Sequence, residues 1–325
     1  MLRMQEFAFH QPTSAKEAVA LWHSLEEAMY VAGGTDLYPN LKHKLHSPKH
    51  IIGLNSLPTP TVRETPTHFE LDAGLSLHTL ATHPDLVREL APLSEAASLV
   101  AGPQIRRMGT LGGNVLLDTR CLYYNQSEFW REALGYCLKK DGDWCHVIGG
   151  PKTCVAAQSS DTTPVLLALN ASIVLLSPSG ERELALRALF NFNGMDHLRI
   201  EKGELLTVVR IPKPAQGFRG CYKKLRTRDS IDFPQVGLAV CGVWQGRVLE
   251  QLEIVVGAIS PKPKPIKGLE AYVGRPLTDL EISAIGELVY KQSRPQAAVH
   301  GDVRWRRAMT RIFTVRALRE LSPEI

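Results

Sequence analysis

Four of the chain's six cysteines, Cys121, Cys137, Cys145 and Cys154, fall in one stretch, separated by fifteen, seven and eight residues. Thiolates are soft ligands, and four meeting at one point suit either a tetrahedral zinc ion or an iron–sulfur cluster. The spacing does not choose between them. The stretch CLYYNQSEFWREALGYCLKKDGDWCHVIGGPKTC is rich in aromatic residues and has turn chemistry at Asp141-Gly142-Asp143 and Gly149-Gly150-Pro151. It predicts a loop folded around a centre, with metal ligation supplying order that so short a segment lacks. Cys221 and Cys241 lie elsewhere, in the strand-like contexts GCYKKL and LAVCGVW, and predict buried, inert thiols.

Two glycine-rich turns precede the cysteines. In the first, Ala32, Gly33, Gly34, Thr35, Asp36 and Leu37 follow directly on a predicted strand. Paired glycines let the backbone turn with positive φ and aim successive amides at one spot, a nest suited to a phosphate oxygen. Alone, such a turn needs no ligand, and its spacing is not GxGxxG, so no nicotinamide domain is predicted. The second turn comprises Gly109, Thr110, Leu111, Gly112, Gly113 and Asn114. Its glycines permit close backbone approach, and Thr110 and Asn114 can hydrogen-bond phosphate or ribityl oxygens. Two turns about eighty residues apart can clamp the two ends of one pyrophosphate, which predicts a dinucleotide held outside a Rossmann fold. Asp161 or Thr162 reads locally as the cap of a helix with Pro164 in its first turn, and capping is the local reading of Asp161. His43, His46 and His50, with lysines interleaved and Pro48 among them, predict a solvated basic loop rather than a metal site.

Ser14 and Glu17 form a capping box that opens a helix over 14–25. Strands are expected at 28–32, 50–54, 69–73 and 171–176, and helices at 79–90 and 92–100. A Pro/Gly-rich linker from Pro212 precedes three strands at 220–225, 235–244 and 248–259, the last two joined by Gln245-Gly246-Arg247, in an antiparallel sheet. Helices follow at 277–291 and 303–321. Ala308, Ile312, Val315, Leu318 and Leu321 give the last one a packed face opposite a solvated basic face. With 325 residues, 44% hydrophobic and 22% charged, the chain predicts two or three globular domains. The N-terminus lacks an apolar h-region and no long apolar run occurs, so neither secretion nor membrane spanning is expected and a cytoplasmic location is. A net charge of +5 is too mild to predict nucleic-acid binding.

With these motifs in view, the whole chain resembles the FAD-binding middle subunit of the xanthine oxidase family of molybdenum hydroxylases. AGGTDL and GTLGGN match that family's two flavin pyrophosphate motifs. Ser160-Asp161 matches its flavin-contacting SD, and Tyr222-Lys223-Lys224-Leu225-Arg226 its late Y-x-K-x-R stretch. The resemblance implies an α+β fold of the PCMH/vanillyl-alcohol-oxidase type. A FAD-binding subdomain would occupy 1–55 and a second 56–211, interrupted by an insertion at 119–156. A C-terminal domain at 216–325 would hold a three-stranded antiparallel sheet and a helical bundle. FAD would be contacted by residues 32–37 and 109–114, Asp161 and Lys224, with no catalytic residue in this chain.

Most members of the family join the GGN motif to the SD motif by a short connection. The insertion here is similar to that of the β subunit of 4-hydroxybenzoyl-CoA reductases, at TRCLYYNQSEFWR and YCLK. That resemblance implies a 4Fe-4S cluster on Cys121, Cys137, Cys145 and Cys154. It further implies a dimer of heterotrimers with a molybdenum-cofactor large subunit and a 2Fe-2S small subunit. Electrons from ferredoxin or another carrier would pass through 4Fe-4S and FAD toward 2Fe-2S and molybdenum, for dehydroxylation of an aryl-CoA. The alternatives are a flavin subunit of a molybdenum aldehyde or N-heterocycle dehydrogenase, with electrons running outward, and a zinc-stapled, non-enzymatic binding module.

Overall fold

The computed structural model describes residues 2–322, which build three sheets with helices between and outside them. The first sheet is parallel, with β1 (Ala8–His10), β2 (Ala28–Val31) and β3 (His50–Gly53) in the order β1-β3-β2. Helix α1 (Ala15–Ser24) crosses from β1 to β2, and α2 (Leu37–Lys42) returns the chain to β3. The Ser14 hydroxyl caps α1 by accepting from the Glu17 amide at 3.2 Å. The Glu17 carboxylate reaches one residue further back than a capping box requires and accepts from the amide and hydroxyl of Thr13. Strand β1 gave no sequence signal because it is short and lies mostly open to solvent.

The second sheet is antiparallel. It comprises β4 (Val62–Glu64), β5 (His68–Asp72), β6 (Ser172–Ser177), β7 (Gly180–Ala185) and β8 (Leu205–Pro212), in the order β4-β5-β8-β6-β7. Between β5 and β6 run α3 (Leu77–Thr82), α4 (Pro84–Glu89), α5 (Ala91–Ser98), α6 (Pro103–Met108), α7 (Leu111–Val115), α8 (Glu128–Ala133) and α9 (Thr162–Ala168). The helix expected over 79–90 is therefore two. Pro84 has no amide hydrogen to offer and pushes His83 into an extended conformation, φ −65° and ψ 122°, which ends α3. Leu80, Leu86, Leu93, Leu111 and Val165 fill the main core between these helices and the sheet.

The third sheet is formed by β9 (Phe218–Leu225), β10 (Val236–Gln245), β11 (Val248–Gly257), β12 (Lys264–Pro265) and β13 (Arg275–Pro276), all antiparallel. Five strands stand where three were expected, because two short segments each pair with one end of β11. Alternation sends successive side chains to opposite faces. Leu238 and Val240 pack toward α10 (Asp279–Gln292) and α11 (Val303–Leu321), while Ala239 and Cys241 join the main core. Cys221 and Cys241 are buried as expected, on opposite faces of the sheet, and burial pushes the Cys221 thiol up to about 12. Among the described residues, no helix is long and apolar enough to cross a membrane.

The basic side of α11 is not wholly solvated. Arg306 is fully buried and donates to the carbonyls of Gln235 (3.0 Å), Gln296 (2.7 Å) and Ala258 (3.0 Å). Burial lowers its guanidinium to about 10. The buried stripe is Arg306, Thr310, Thr314, Ala317, Leu318 and Leu321, so the helix is rotated from the face through Ala308, Ile312 and Val315. Two buried carbonyls and one half-buried carbonyl need donors, and their demand outweighs the apolar spacing. Replacing Arg306→Met should cost about 3 kcal/mol, seen as a lower urea midpoint with an unchanged slope. An unchanged midpoint would mean that water takes over the three carbonyls.

Candidate functional site

The two glycine turns touch. A Cβ on Gly33 would lie 1.8 Å from the Met108 carbonyl oxygen, and one on Gly109 would lie 3.6 Å from Thr35 Oγ1. Gly34 has φ +69°, and a Cβ there would lie 2.4 Å from the Tyr38 ring. Among the described residues, no protein group accepts from the amides of residues 33–37, which are half-buried. These consecutive donors at the start of α2 are left without a protein acceptor, which is what a phosphate-binding nest requires. The second turn works differently. Thr110 Oγ1 caps α7 by accepting from the Gly113 amide at 3.1 Å, and the amides of Leu111 and Gly112 donate to Leu75 and Ala73, both at 2.8 Å. Gly109 and Asn114 also donate within the protein. The second turn thus backs the first, and its own donors are largely spent.

Asn114 joins this turn to the SD motif. Its buried side-chain oxygen accepts from the hydroxyls of Ser160 and Thr162, each at 2.7 Å. Asp161 stands at the N-cap position of α9 as expected, but its side chain caps nothing there, and Ser160 Oγ accepts from the Thr163 amide at 3.0 Å instead. Asp161 instead faces the third sheet, accepting from Tyr222 Oη at 2.8 Å and Lys224 Nζ at 3.0 Å. Lys224 also donates to the Leu99 carbonyl at 2.9 Å. Gly237 makes room, since a Cβ there would lie 2.4 Å from the Tyr222 hydroxyl. Burial drives Asp161 upward and Lys224 downward, and their mutual attraction holds each partly back. The polar contacts of both side chains go to protein groups, so here they form an interdomain pair.

The cysteine insertion rests on the stretch around His43 to His46. From α8, buried Arg131 donates to the carbonyls of His43 (3.1 Å) and Lys44 (3.3 Å), and Leu45 packs against Tyr124 and Cys137. His46 turns inward, 4.0 Å from Asp118, and His50 meets His10 at 3.0 Å between β3 and β1. Lys42, Lys44 and Lys49 stay exposed as expected of a solvated basic stretch, while its backbone carbonyls, Leu45 and His46 form a platform for the insertion. A segment of this size cannot build its own core and borrows apolar surface and carbonyls from a neighbour. Cys121, Cys137, Cys145 and Cys154 line one narrow cavity with Tyr124, Lys139 and His146, and none forms a disulfide. Burial pushes the Cys121 thiol up to about 11, and the nearness of Cys154 and Cys137 adds to it. Among the described residues, no three His, Cys, Asp or Glu side chains already stand in ligating geometry.

Cys121 also lines a second cavity, an open cleft of about 600 Å³ shared with Arg120, Ser159, Thr227, Phe233 and His300. This volume falls in the range of small-molecule sites. Neither glycine turn lines it. The link is Arg120, whose guanidinium pairs with Asp36 of the first turn and lies 3.7 Å from the centre of the Phe233 ring. Its backbone exchanges hydrogen bonds of 2.8 and 2.7 Å with Ala157, closing the base of the insertion. The sequence reading missed Arg120, Phe233 and Lys139. Arg120 directly precedes a cysteine, and Phe233 is a lone aromatic residue in the polar run RTRDSIDFP, so both left a signal.

Comparison with known proteins fits this geometry. Residues 5–214 match the model described as the FAD binding domain in molybdopterin dehydrogenase, and residues 220–321 match the CO dehydrogenase flavoprotein C-terminal domain. The chain is 27% identical to the glyceraldehyde dehydrogenase medium chain of Sulfolobus acidocaldarius, covering 98% of this chain and 99% of that one. It is 31% identical to the carbon monoxide dehydrogenase medium chain of Afipia carboxidovorans, over 68% of this chain and 64% of that one. A structure of carbon monoxide dehydrogenase from Hydrogenophaga pseudoflava, lacking the Mo-pyranopterin moiety, superposes with a TM-score of 0.79. It is 25% identical and covers 99% of this chain and all of that one.

Two substitutions separate the two roles. Gly33→Ala should lower FAD affinity roughly tenfold or more by forcing the turns apart, measured by fluorescence titration of the apoprotein. Lys224→Met should cost about 3–5 kcal/mol of stability by leaving Asp161 buried without its cation, read by denaturant unfolding. Wild-type behaviour in either variant would remove the corresponding assignment.

Proposed function

The chain belongs to the FAD-binding subunits of the molybdenum hydroxylase family, and we propose that it is the electron-transfer subunit of a molybdenum-dependent dehydrogenase, carrying a 4Fe-4S cluster beside its flavin. The observation that carries the second cofactor is the meeting of four unpaired thiols at one cavity, one of whose walls, Cys121, is also a wall of the open cleft.

FAD, when bound, supplies exchange of one or two electrons. This chain's part is to hold it. The free amides of residues 33–37 suit the pyrophosphate oxygens. Arg120 fixes Asp36 at the edge of that turn, and Asn40 adds a hydrogen bond of 3.1 Å to the same carboxylate. Asn114 ties Ser160 and Thr162 to the backing turn, while Asp161 and Lys224 hold the third sheet against them. The cleft beside Arg120 has the size for a planar ring system. Cys121, Cys137, Cys145 and Cys154 would hold the cluster, which supplies one-electron exchange. A thiol-only donor set suits iron–sulfur chemistry, and zinc is the competing occupant.

Partners would be a large subunit with the molybdenum cofactor and a small subunit with 2Fe-2S centres, as in the complexes of this family. The relatives' names, with glyceraldehyde and carbon monoxide as substrates, support the outward-running dehydrogenase. The four-cysteine insertion supports a second reading, an aryl-CoA reductase of the 4-hydroxybenzoyl-CoA type fed by ferredoxin. Family membership leaves the non-enzymatic binding module without support.

Cys137→Ser should lower iron content several-fold while leaving FAD bound, measured by metal analysis and flavin absorbance. Equal loss of flavin would mean that the insertion and the flavin site fold as one. The assembled complex should be assayed with aldehydes and N-heterocycles against an artificial acceptor, and with 4-hydroxybenzoyl-CoA against a low-potential donor. Turnover of the thioester alone would replace the dehydrogenase by the reductase.

A further inference from the structure

A charge pair with a buried lysine and a half-buried aspartate, Lys139 and Asp118, lies against the cysteine cavity. Lys139, two residues past Cys137, lines the cavity, and its side chain is only 6% exposed. Its ammonium donates to Asp118 Oδ1 at 2.6 Å, to the Thr119 hydroxyl at 2.5 Å and to the Thr119 carbonyl at 3.0 Å. It also lies 4.2 Å from the centre of the Tyr124 ring. Asp118 does not line the cavity. Its second oxygen accepts from Tyr124 Oη at 3.0 Å, and His46 and His197 each stand 4.0 Å from the carboxylate. Burial lowers both imidazoles below their ordinary range, and Asp118 pulls them partly back. The lysine of the pair thus lines the cavity and its charge acts on the Cys154 thiol, while the aspartate stands outside the lining.

The insertion is fastened elsewhere. Arg131 on the His43 and Lys44 carbonyls, the Arg120–Ala157 backbone pair and the Leu122 amide on the Ala298 carbonyl (2.8 Å) hold it in place. A buried ion pair is weak evidence for stability, because desolvation of both charges offsets their attraction. Beside a centre whose charge changes by one unit per electron, its electrostatic effect is large, since apolar walls screen little.

We propose that Lys139 and Asp118 are a potential-setting pair for the metal centre held by the four cysteines. The Lys139 ammonium favours the electron-rich state of that centre, and Asp118 limits the effect by balancing the lysine. The inference rests on the iron–sulfur reading above. It is a claim about charge, so the two halves of the pair must act in opposite directions, which structural damage would not do.

The test uses the full chain, purified anaerobically with its iron, as wild type, Lys139→Met, Lys139→Arg and Asp118→Asn. The cluster's midpoint is read by redox titration followed by electron paramagnetic resonance. At a fixed potential near the wild-type midpoint, Lys139→Met should lower the reduced-to-oxidised ratio roughly tenfold or more, and Asp118→Asn should raise it by a similar factor. Lys139→Arg should stay near wild type. With iron retained, shifts in the same direction or no shifts would overturn the pair's role and leave the cluster in place. If Lys139→Met loses its iron, the comparison of Asp118→Asn with wild type decides, and anything but a rise overturns the proposal. A wild-type chain that holds zinc or no metal would overturn the iron–sulfur reading and this inference with it.

Discussion

The approach of one backbone to another at Gly33 is the constraint on which the site depends. A side chain there would occupy the place of the Met108 carbonyl, so the turn after β2 can sit against the chain entering the second glycine motif only as glycine. That contact brings the first sheet to the helices of the second. It leaves the amides of residues 33–37 pointing away from protein acceptors, while the second motif spends its amides on Ala73, Leu75 and Thr110 as a rigid backing. From there a continuous set of buried contacts leads outward: Asn114 holds Ser160 and Thr162, and the neighbouring Asp161 holds Tyr222 and Lys224 of the third sheet. The proposed flavin site is thus a meeting of three sheets rather than a property of one domain.

The insertion joins this scaffold without interrupting it. Its base is closed by the Arg120–Ala157 pair, between α7 and α9, so the contacts of Asn114 with Ser160 and Thr162 survive a long excursion between them. Besides its internal turns it borrows order from its neighbours, from carbonyls at His43 and Lys44, from Leu45 and from Ala298. Arg120 places the cost and the use of that arrangement together. It precedes a cysteine of the cavity, pairs with Asp36 of the flavin turn and stacks on Phe233 at the cleft.

What could be read from the sequence were features with a local cause. Gly33-Gly34, the Ser14 cap, the hairpin at Gln245-Gly246-Arg247 and the cysteine stretch each announce themselves by residue type at short spacing. What could not be read was set by distant partners. Asp161 has the position of a helix cap, but Tyr222 and Lys224 supply stronger hydrogen bonds from another domain. Arg306 has the spacing of a solvated face, but two carbonyls at the end of the sheet and one in the loop after α10 draw it inside. The lysines before Pro48 are exposed as their type suggests, but the backbone carbonyls and Leu45 between them are covered by the insertion. The break at His83-Pro84 is different, since proline's missing amide hydrogen announced it and apolar spacing hid it.

In this reading one chain carries both a flavin and an iron–sulfur centre. The most direct measurement is the content of iron, acid-labile sulfide, zinc and FAD in the full-length wild-type chain purified without oxygen. The account predicts one 4Fe-4S cluster for each FAD, with zinc absent. A chain that binds FAD and holds one zinc ion without sulfide would contradict it, and would make the four cysteines a staple for the insertion.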